Sequence, residues 1–352
     1  MAILMDHLTW AAQQGASDLF IVPGAPVSMK LEGQLVPIGE EKVMPALGEK
    51  LLSEIYALAH RDMDTFRATG DDDFSFSVPG LARFRANAYK QRGSCAAVIR
   101  VVAFEIPDWQ QLSIPPQVME LAGLSSGMVL FTGTAGSGKS TTQACLVDRI
   151  NRERACHIIT LEDPIEFLHR NDLSIISQRE ICVDTGDYLS ALRASLRQSP
   201  DVIQLGEMRD LETIRTAITA AETGHLVLAT LHTKGAVNSI DRVIDSFPPE
   251  QQHQIRLQLS CVLRTVVSQQ LLHGVNGESV SAFEILHVNN AIRSMIRDSK
   301  NHQIPGVLAA GGSEGMISMD QAILDLLHRG KITEDTALDS ADNPEQLRRR
   351  LG

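Results

Sequence analysis

Eight consecutive residues, Gly133-Thr134-Ala135-Gly136-Ser137-Gly138-Lys139-Ser140, fit the phosphate-loop pattern G-x-x-x-x-G-K-[ST] without a mismatch. A backbone of this kind aims several N–H groups into one concavity, and a helix starting at its end adds partial positive charge. Residues Thr134, Ala135, Gly136, Ser137 and Gly138 would line the cradle, with Thr141 continuing it into the helix. Lys139 would reach the β- and γ-phosphates of a nucleotide, and the Ser140 hydroxyl would hold Mg²⁺. The bland alternative is a glycine-rich turn. The flanks argue against it, because Met128 to Thr132 reads as a buried strand and Lys139 to about Ile150 as a helix.

A bound triphosphate also needs a metal shell and a group to activate water, and in a parallel sheet these come from neighbouring strand ends. Three stretches qualify. Ile158 to Leu161 is followed by Glu162, Asp163 and Glu166; three carboxylates so close together are costly unless a cation or water uses them. Capping of the next turn is their ordinary alternative. Asp201 to Leu205 is a mostly apolar strand followed by Gly206 and Glu207, the Walker B arrangement. Gln204 within it is unusual, and implies a strand partly exposed or locally hydrogen-bonded. His225 and His232 flank the short apolar run Leu226 to Leu231. Seven residues along a strand put them roughly 23 Å apart, too far to share a metal. His232, at the C-terminal end, can sense a γ-phosphate; His225, at the other end, suits an interface or a structural contact.

The elements that must position these residues fall into two regions. Residues 1–102 read as an α+β domain. An amphipathic helix carries Ile3, Leu4, His7, Leu8 and Ala11, and strands follow at Asp18 to Val22, Val27 to Leu31 and Gln34 to Ile38, the last two turning at Glu32-Gly33. A helix at Leu47 to Leu58 precedes alternating strands at Asp73 to Val78, Ala82 to Lys90 and Ala96 to Val102, which predicts an antiparallel sheet. Residues 103–116 hold Pro107, Pro115 and Pro116 and read as a linker. In residues 117–352 strands alternate with helices at His157 to Leu161, Leu173 to Ser177, Val202 to Leu205 and Leu226 to Thr230, predicting a mostly parallel sheet. After Thr233 helices are expected at Pro249 to Leu272, Asn289 to Lys300, Ser318 to Gly330 and Pro344 to Leu351.

A chain of 352 residues is long enough for two cores. A net charge of −11 opposes bulk binding to nucleic acid or anionic membrane. The five cysteines form no C-x-x-C pair, which argues against a zinc ribbon or disulfide scaffold and fits a reducing cytoplasm. No stretch of ~18 apolar residues exists to span a bilayer. Arg83, Arg85, Arg92 and Arg100 concentrate on the last strands of the first region, either as a solvated face or as a surface for a neighbouring protomer's nucleotide.

Together these segments resemble the secretion ATPases of the type II/type IV pilus group: GTAGSGKST, ITLEDPIEF, LRQSPDVIQLGEMRD and AAETGHLVLATLHT look like its Walker A, Asp, Walker B and His boxes. DFSFSVPGLARFRANAYKQRGS, IDRVIDSFPPEQQ and AIRSMIRDSKNHQI resemble its twitching-motility, pilus-retraction branch. The resemblance implies an α/β chain in which an N-terminal PAS-like α+β domain precedes a RecA-like P-loop ATPase domain with a helical C-terminal part. It implies a homo-hexamer that hydrolyses ATP with Mg²⁺ at sites between subunits and couples this to interdomain rotation and removal of pilin. The expected partners are an inner-membrane platform protein and a second retraction-type ATPase. The expected location is cytoplasmic, at the inner face of the membrane and without insertion. On matching positions Glu207 supports Mg²⁺ or orients water, Glu162 and Glu166 are rivals for water activation, and His225 and His232 form the His-box pair. Some of Arg83, Arg85, Arg92 and Arg100 would act in trans. The chain departs from the family at Thr134-Ala135, where Pro-Thr is usual, and at Gln204-Leu205, where Leu-Val is usual. An accessory retraction motor, a nucleotide-gated subunit with little turnover and a DNA-transfer ATPase are the competing readings.

Overall fold

The computed structural model describes residues 2–31, 33–102 and 106–351. Glu32 of the expected hairpin turn and residues 103–105 of the expected linker lie outside them. The chain forms two compact units, Met1–Glu105 with Glu166–Leu168, and Ile106–Ile165 with His169–Gly352.

In the first unit, helix α1 (Ala2–Gln13) precedes strands β1 (Asp18–Ile21), β2 (Pro26–Leu31) and β3 (Gln34–Lys42). Helices α2 (Pro45–Leu58) and α3 (Asp64–Thr69) lead into β4 (Asp71–Val78), β5 (Ala82–Gln91) and β6 (Ser94–Val102). The six strands form one sheet in the order β3-β2-β1-β6-β5-β4, with every neighbour antiparallel. Alternation sets its inner face: Phe74, Phe76 and Val78 from β4 and Phe84, Ala86 and Ala88 from β5 are buried against Leu51, Leu52, Ile55 and Tyr56 of α2. On α1, Leu4, Leu8 and Ala11 are buried, whereas Ile3, expected on the same face, is exposed. Asp72 is the one carboxylate on the inner face of β4, and three donors compensate it: Tyr56 Oη at 2.8 Å, Arg61 Nε at 3.2 Å and Arg61 Nη2 at 3.0 Å.

In the second unit, residues from Ile106 do not form a free tether. Ile106, Trp109, Leu112 and Ile114 pack on its core, and the short helix α4 (Pro116–Met119) follows. The strands are β7 (Gly127–Thr132), β8 (His157–Glu162), β9 (Ile175–Glu180), β10 (Val202–Leu205), β11 (Leu226–Leu231), β12 (Leu263–His273) and β13 (Ser279–His287). Helices α5 (Lys139–Glu153), α6 (Tyr188–Ser195), α7 (Leu211–Glu222), α8 (Ala236–Asp245) and α9 (Pro249–Val262) cross between them. The chain finishes on α10 (Asn290–Arg297), α11 (Ile304–Ala310), α12 (Met319–His328), α13 (Glu334–Ser340) and α14 (Pro344–Leu351). The sheet order is β13-β12-β7-β11-β10-β8-β9, parallel throughout except for β12 against β13. Helix α5 covers one face through Leu146, Val147 and Ile150; Leu192, Ile214, Ala217 and Ile240 from α6 to α8 cover the other. Strands β7, β10 and β11 are therefore buried on both sides, and their sequences are apolar apart from Gln204 and the threonines Thr132 and Thr230.

The helix expected from Pro249 to Leu272 ends instead at Val262, and Leu263 begins β12. No glycine or proline marks the change. Thr265, Val266 and Val267 favour a strand, but Thr265 to Gln269 are buried on both faces, so alternation is missing. Strand β13 was unexpected for the same reason: Ala282 to Leu286 are all buried. Strand β9 starts at Ile175, two residues later than expected.

Gln204 is neither partly exposed nor fully paired. It is 4% exposed, and its Oε1 has no hydrogen-bond partner. Its cross-strand neighbours are Leu228 and Thr160. Leu228 offers no donor, and the Thr160 hydroxyl donates to Glu162 Oε1 at 2.6 Å. Leaving such an acceptor unmade costs about 1–3 kcal/mol. Gln204→Leu is expected to stabilise the second unit by about 1 kcal/mol, measured by urea unfolding. Equal or lower stability would show that the amide is compensated.

Candidate functional site

The buried run of β7 ends at Thr132, and the loop that follows delivers the chain to α5. Thr134, Ala135 and Gly136 form its exposed crest, while Ser137 and Lys139 are buried. Gly138 is the N-cap of α5 at φ 87°, so the first-turn amides of a fifteen-residue helix open at the loop's end with no side chain capping them. The Lys139 ammonium curls back under the loop and donates to the carbonyl oxygens of Gly133 (2.8 Å) and Thr134 (2.7 Å). It also lies 3.4 Å from Ser137 Oγ. An ammonium only 7% exposed would be costly without these acceptors. Ser140 and Thr141 follow on the first turn of α5.

Parallel pairing brings the other strand ends alongside. Thr132 is level with Leu231, and Ala229 with Leu205, so β7, β11 and β10 finish on one edge of the sheet. The chain leaves β10 through Gly206, whose N–H donates to Leu161 O at 2.8 Å and whose carbonyl accepts from the Thr230 hydroxyl. A Cβ on Gly206 would lie 2.8 Å from the Tyr188 hydroxyl and 3.0 Å from Leu161 O, so only glycine fits there. This clamp aims Glu207 at His232. Glu207 Oε1 is 3.3 Å from His232 Nε2, and Oε2 accepts from Arg209 Nε at 2.7 Å. That hydrogen bond raises the Arg209 pKa further. Tyr188 closes the group from α6. Burial raises its phenol pKa, and the charges of Asp163 and Glu207 add to the effect, so the hydroxyl keeps its proton.

The predicted residues separate into those gathered here and those placed elsewhere. Glu162 ends β8 beside β10, nearly buried, accepting from Thr160 Oγ1 and from Gln178 Nε2 at 3.2 Å. His225 is not brought to the loop. It stands at the opposite end of β11, its carbonyl accepting from Gly127 N and its Nδ1 2.9 Å from Ala220 O, where it closes the end of α7. Glu166 lies in the segment that groups with the first unit, as do the four arginines. Within that unit Arg85 Nε donates to Asp73 Oδ1 at 3.1 Å, and Arg100 Nε to Asp18 Oδ1 at 3.1 Å. Arg85 and Arg100 face each other across β5 and β6, so each like charge has its own acid. Arg83 Nη1 is 3.4 Å from Ser77 Oγ, and Arg92 is exposed at the β5–β6 turn.

Beside the loop's end lies a cavity of about 850 Å³, lined in part by Trp109, Gly138, Thr141, Thr142, Gln269 and Phe283. Its size is that of a small-molecule site, and its mixture of aromatic walls with a few polar groups suits a base and ribose whose phosphates lie in the loop. Sequence reasoning missed Trp109, Tyr188, Arg209 and Gln269. Arg209 stood two residues from Glu207, but the other three come from segments far apart in the chain.

The family described as "Type II/IV secretion system protein" matches residues 1–306. The "Type IV pilus retractation ATPase PilT" of Pseudomonas aeruginosa is 41% identical over 348 residues, covering 98% of this chain and 99% of that protein. The "Type IV pilus ATPase PilU" of the same organism is 36% identical over 338 residues, covering 96% and 88%. A crystal structure described as the pilus retraction motor PilT with bound ADP superimposes with a TM-score of 0.88 at 40% identity, covering 99% of each chain.

The chain has two tryptophans, Trp10 and Trp109. In a Trp10→Phe background, binding of ATP is expected to shift or quench the emission of Trp109. Binding measured by calorimetry without any change in that emission would remove the base from this cavity.

Proposed function

The chain belongs to the type II/IV secretion system protein family, and on that footing we propose that it is an ATPase motor that powers type IV pilus retraction. The observation that carries this reading is the convergence at one sheet edge of the Lys139 loop with Glu207, held 3.3 Å from His232. The loop amides and Lys139 would bind the β- and γ-phosphates. Glu207 would orient a water for attack on the γ-phosphorus. The P–O bond to the β-phosphate then breaks, ADP leaves with that oxygen, and the water's proton passes to the carboxylate or the released phosphate. Glu162, already held by two donors, is the rival for the proton. Arg209 competes for the same Glu207 carboxylate, so it must yield before that group can accept a proton. His232, touching Glu207 from the next strand, is placed to register loss of the γ-phosphate.

The donors at this edge fit Mg²⁺. The Ser140 hydroxyl and the Glu207 carboxylate are hard oxygen ligands, and Mg²⁺ takes few protein ligands because it keeps waters and phosphate oxygens. When bound, the ion neutralises charge on the β- and γ-oxygens. Supply of positive charge in trans is assigned first to Arg92, exposed at the β5–β6 turn; Arg85 and Arg100 already have acids in their own sheet. This role requires a ring of like protomers, for which a homo-hexamer, with a membrane platform protein as its load, is the form we infer. Among the described residues no helix is long and apolar enough to cross a membrane, which suits a peripheral position.

Lys139→Ala is expected to lower steady-state phosphate release about 10²–10³-fold, the usual loss for one charge-stabilising donor. Glu207→Gln should retain nucleotide binding while turnover collapses. Phosphate release that survives either change would overturn the reading. Deletion that leaves pilus retraction intact in the source cell would favour an accessory, PilU-like role.

A further inference from the structure

The loop is gripped from a strand that plays no part in the chemistry above. Ser268 of β12 is level with Thr132 of β7, so the next residue, Gln269, stands beside Gly133. The Gln269 backbone carbonyl oxygen would collide with a Cβ on Gly133, and Gly133 has φ 141°. Its side chain reaches the far end of the same loop, where the amide nitrogen lies 2.8 Å from where a Cβ on Gly138 would be. The amide oxygen accepts from Thr142 Oγ1 of α5 at 2.8 Å. Gln269 is 3% exposed and borders the cavity beside Thr141 and Thr142. One buried residue thus touches the start of the cradle, its end and the helix behind it.

The chemistry of that contact is selective. A phosphate cradle works only if its N–H groups are held in one direction before the anion arrives. The two glycines make the required backbone possible but also make it loose. A neutral amide can satisfy the Thr142 hydroxyl with its oxygen and present a donor, not a negative charge, on the side of Gly138. An alkyl side chain would leave Thr142 unpaired, and a carboxylate would put an anion beside the phosphates.

We propose that Gln269 is a positioning residue for nucleotide binding: its side-chain amide, packed against Gly138 and hydrogen-bonded to Thr142, holds the end of the phosphate loop on α5 while its backbone packs against Gly133, and so sets the affinity for the triphosphate. This rests on the ATPase reading of the same loop. The test compares the full-length chain with Gln269→Leu, Gln269→Glu, Thr142→Val and the Gln269→Leu/Thr142→Val double variant. Kd for ATP is measured by calorimetry, KM and kcat by phosphate release, and Tm by thermal unfolding. Gln269→Leu is expected to raise Kd and KM about tenfold, the scale of one hydrogen bond, with kcat changed far less. Gln269→Glu should weaken ATP binding further than Gln269→Leu. Thr142→Val should move Kd the same way, and the double variant should lose less than the product of the single losses, since both remove one bond. Thr142→Val carries the test alone if Gln269→Leu does not fold. A lowered Tm with unchanged KM and Kd, or strictly multiplicative losses, would overturn the proposal while leaving the ATPase reading in place. A wild-type chain that fails to bind ATP would overturn both.

Discussion

Everything at the candidate site depends on the parallel ladder that joins β7, β11 and β10. Parallel strands enter from the same side, so their C-terminal ends must finish at one edge, and each crossover helix must return the chain to the other. Glu207 and His232 come about 70 and 95 residues after the phosphate loop, yet each of the three follows the last residues of a neighbouring strand. Burial of these strands on both faces leaves them little freedom to slip, because a shifted register would carry apolar side chains out of two cores. Precision at the edge is thus inherited from packing beneath it.

At that edge, charge is placed where the interior can tolerate it. Lys139 is buried but solvated by two backbone carbonyls of the loop it serves. Glu207 is more accessible and is shared between Arg209 and His232. Glu162 lies deeper and takes hydrogen bonds from Thr160 and Gln178. The three groups therefore differ in how easily they can change partner: the lysine is held by fixed backbone, Glu162 by neighbouring side chains, and Glu207 by an exposed arginine. The last is the easiest to release, which suits a group that must engage water only at one point in a cycle. The same deep packing explains the unmet Gln204 acceptor, since Thr160 is already committed to Glu162.

Much of this was legible in the chain. The phosphate loop needs particular residues at fixed spacing, so it is visible without a fold, and the apolar runs before Gly133, Glu162, Glu207 and His232 mark the strands that hold them. In the first unit β4 and β5 were legible because one face is wet and alternation survives. Strands β12 and β13 were not, because burial on both faces erases the period that separates strand from helix. The separation of His225 from His232 was legible too, because strand direction alone puts only the C-terminal end of a parallel strand at the loop, and His225 stands at the other end.

What the sequence determined by itself was the chemistry on offer: a glycine cradle with its lysine and hydroxyl, acids after apolar strands, and an α/β chain to carry them. These are local properties, set by residue type, spacing and periodicity. Only the tertiary structure decided which acid meets which histidine, that Tyr188 must pack on Gly206, that Trp109 walls the cavity, and that Gln269 packs against both ends of the cradle. Those contacts join segments as far apart in the chain as Gly133 and Gln269, and no local preference encodes them. They arise because closing the sheet and filling its two cores leaves one arrangement of the strand ends.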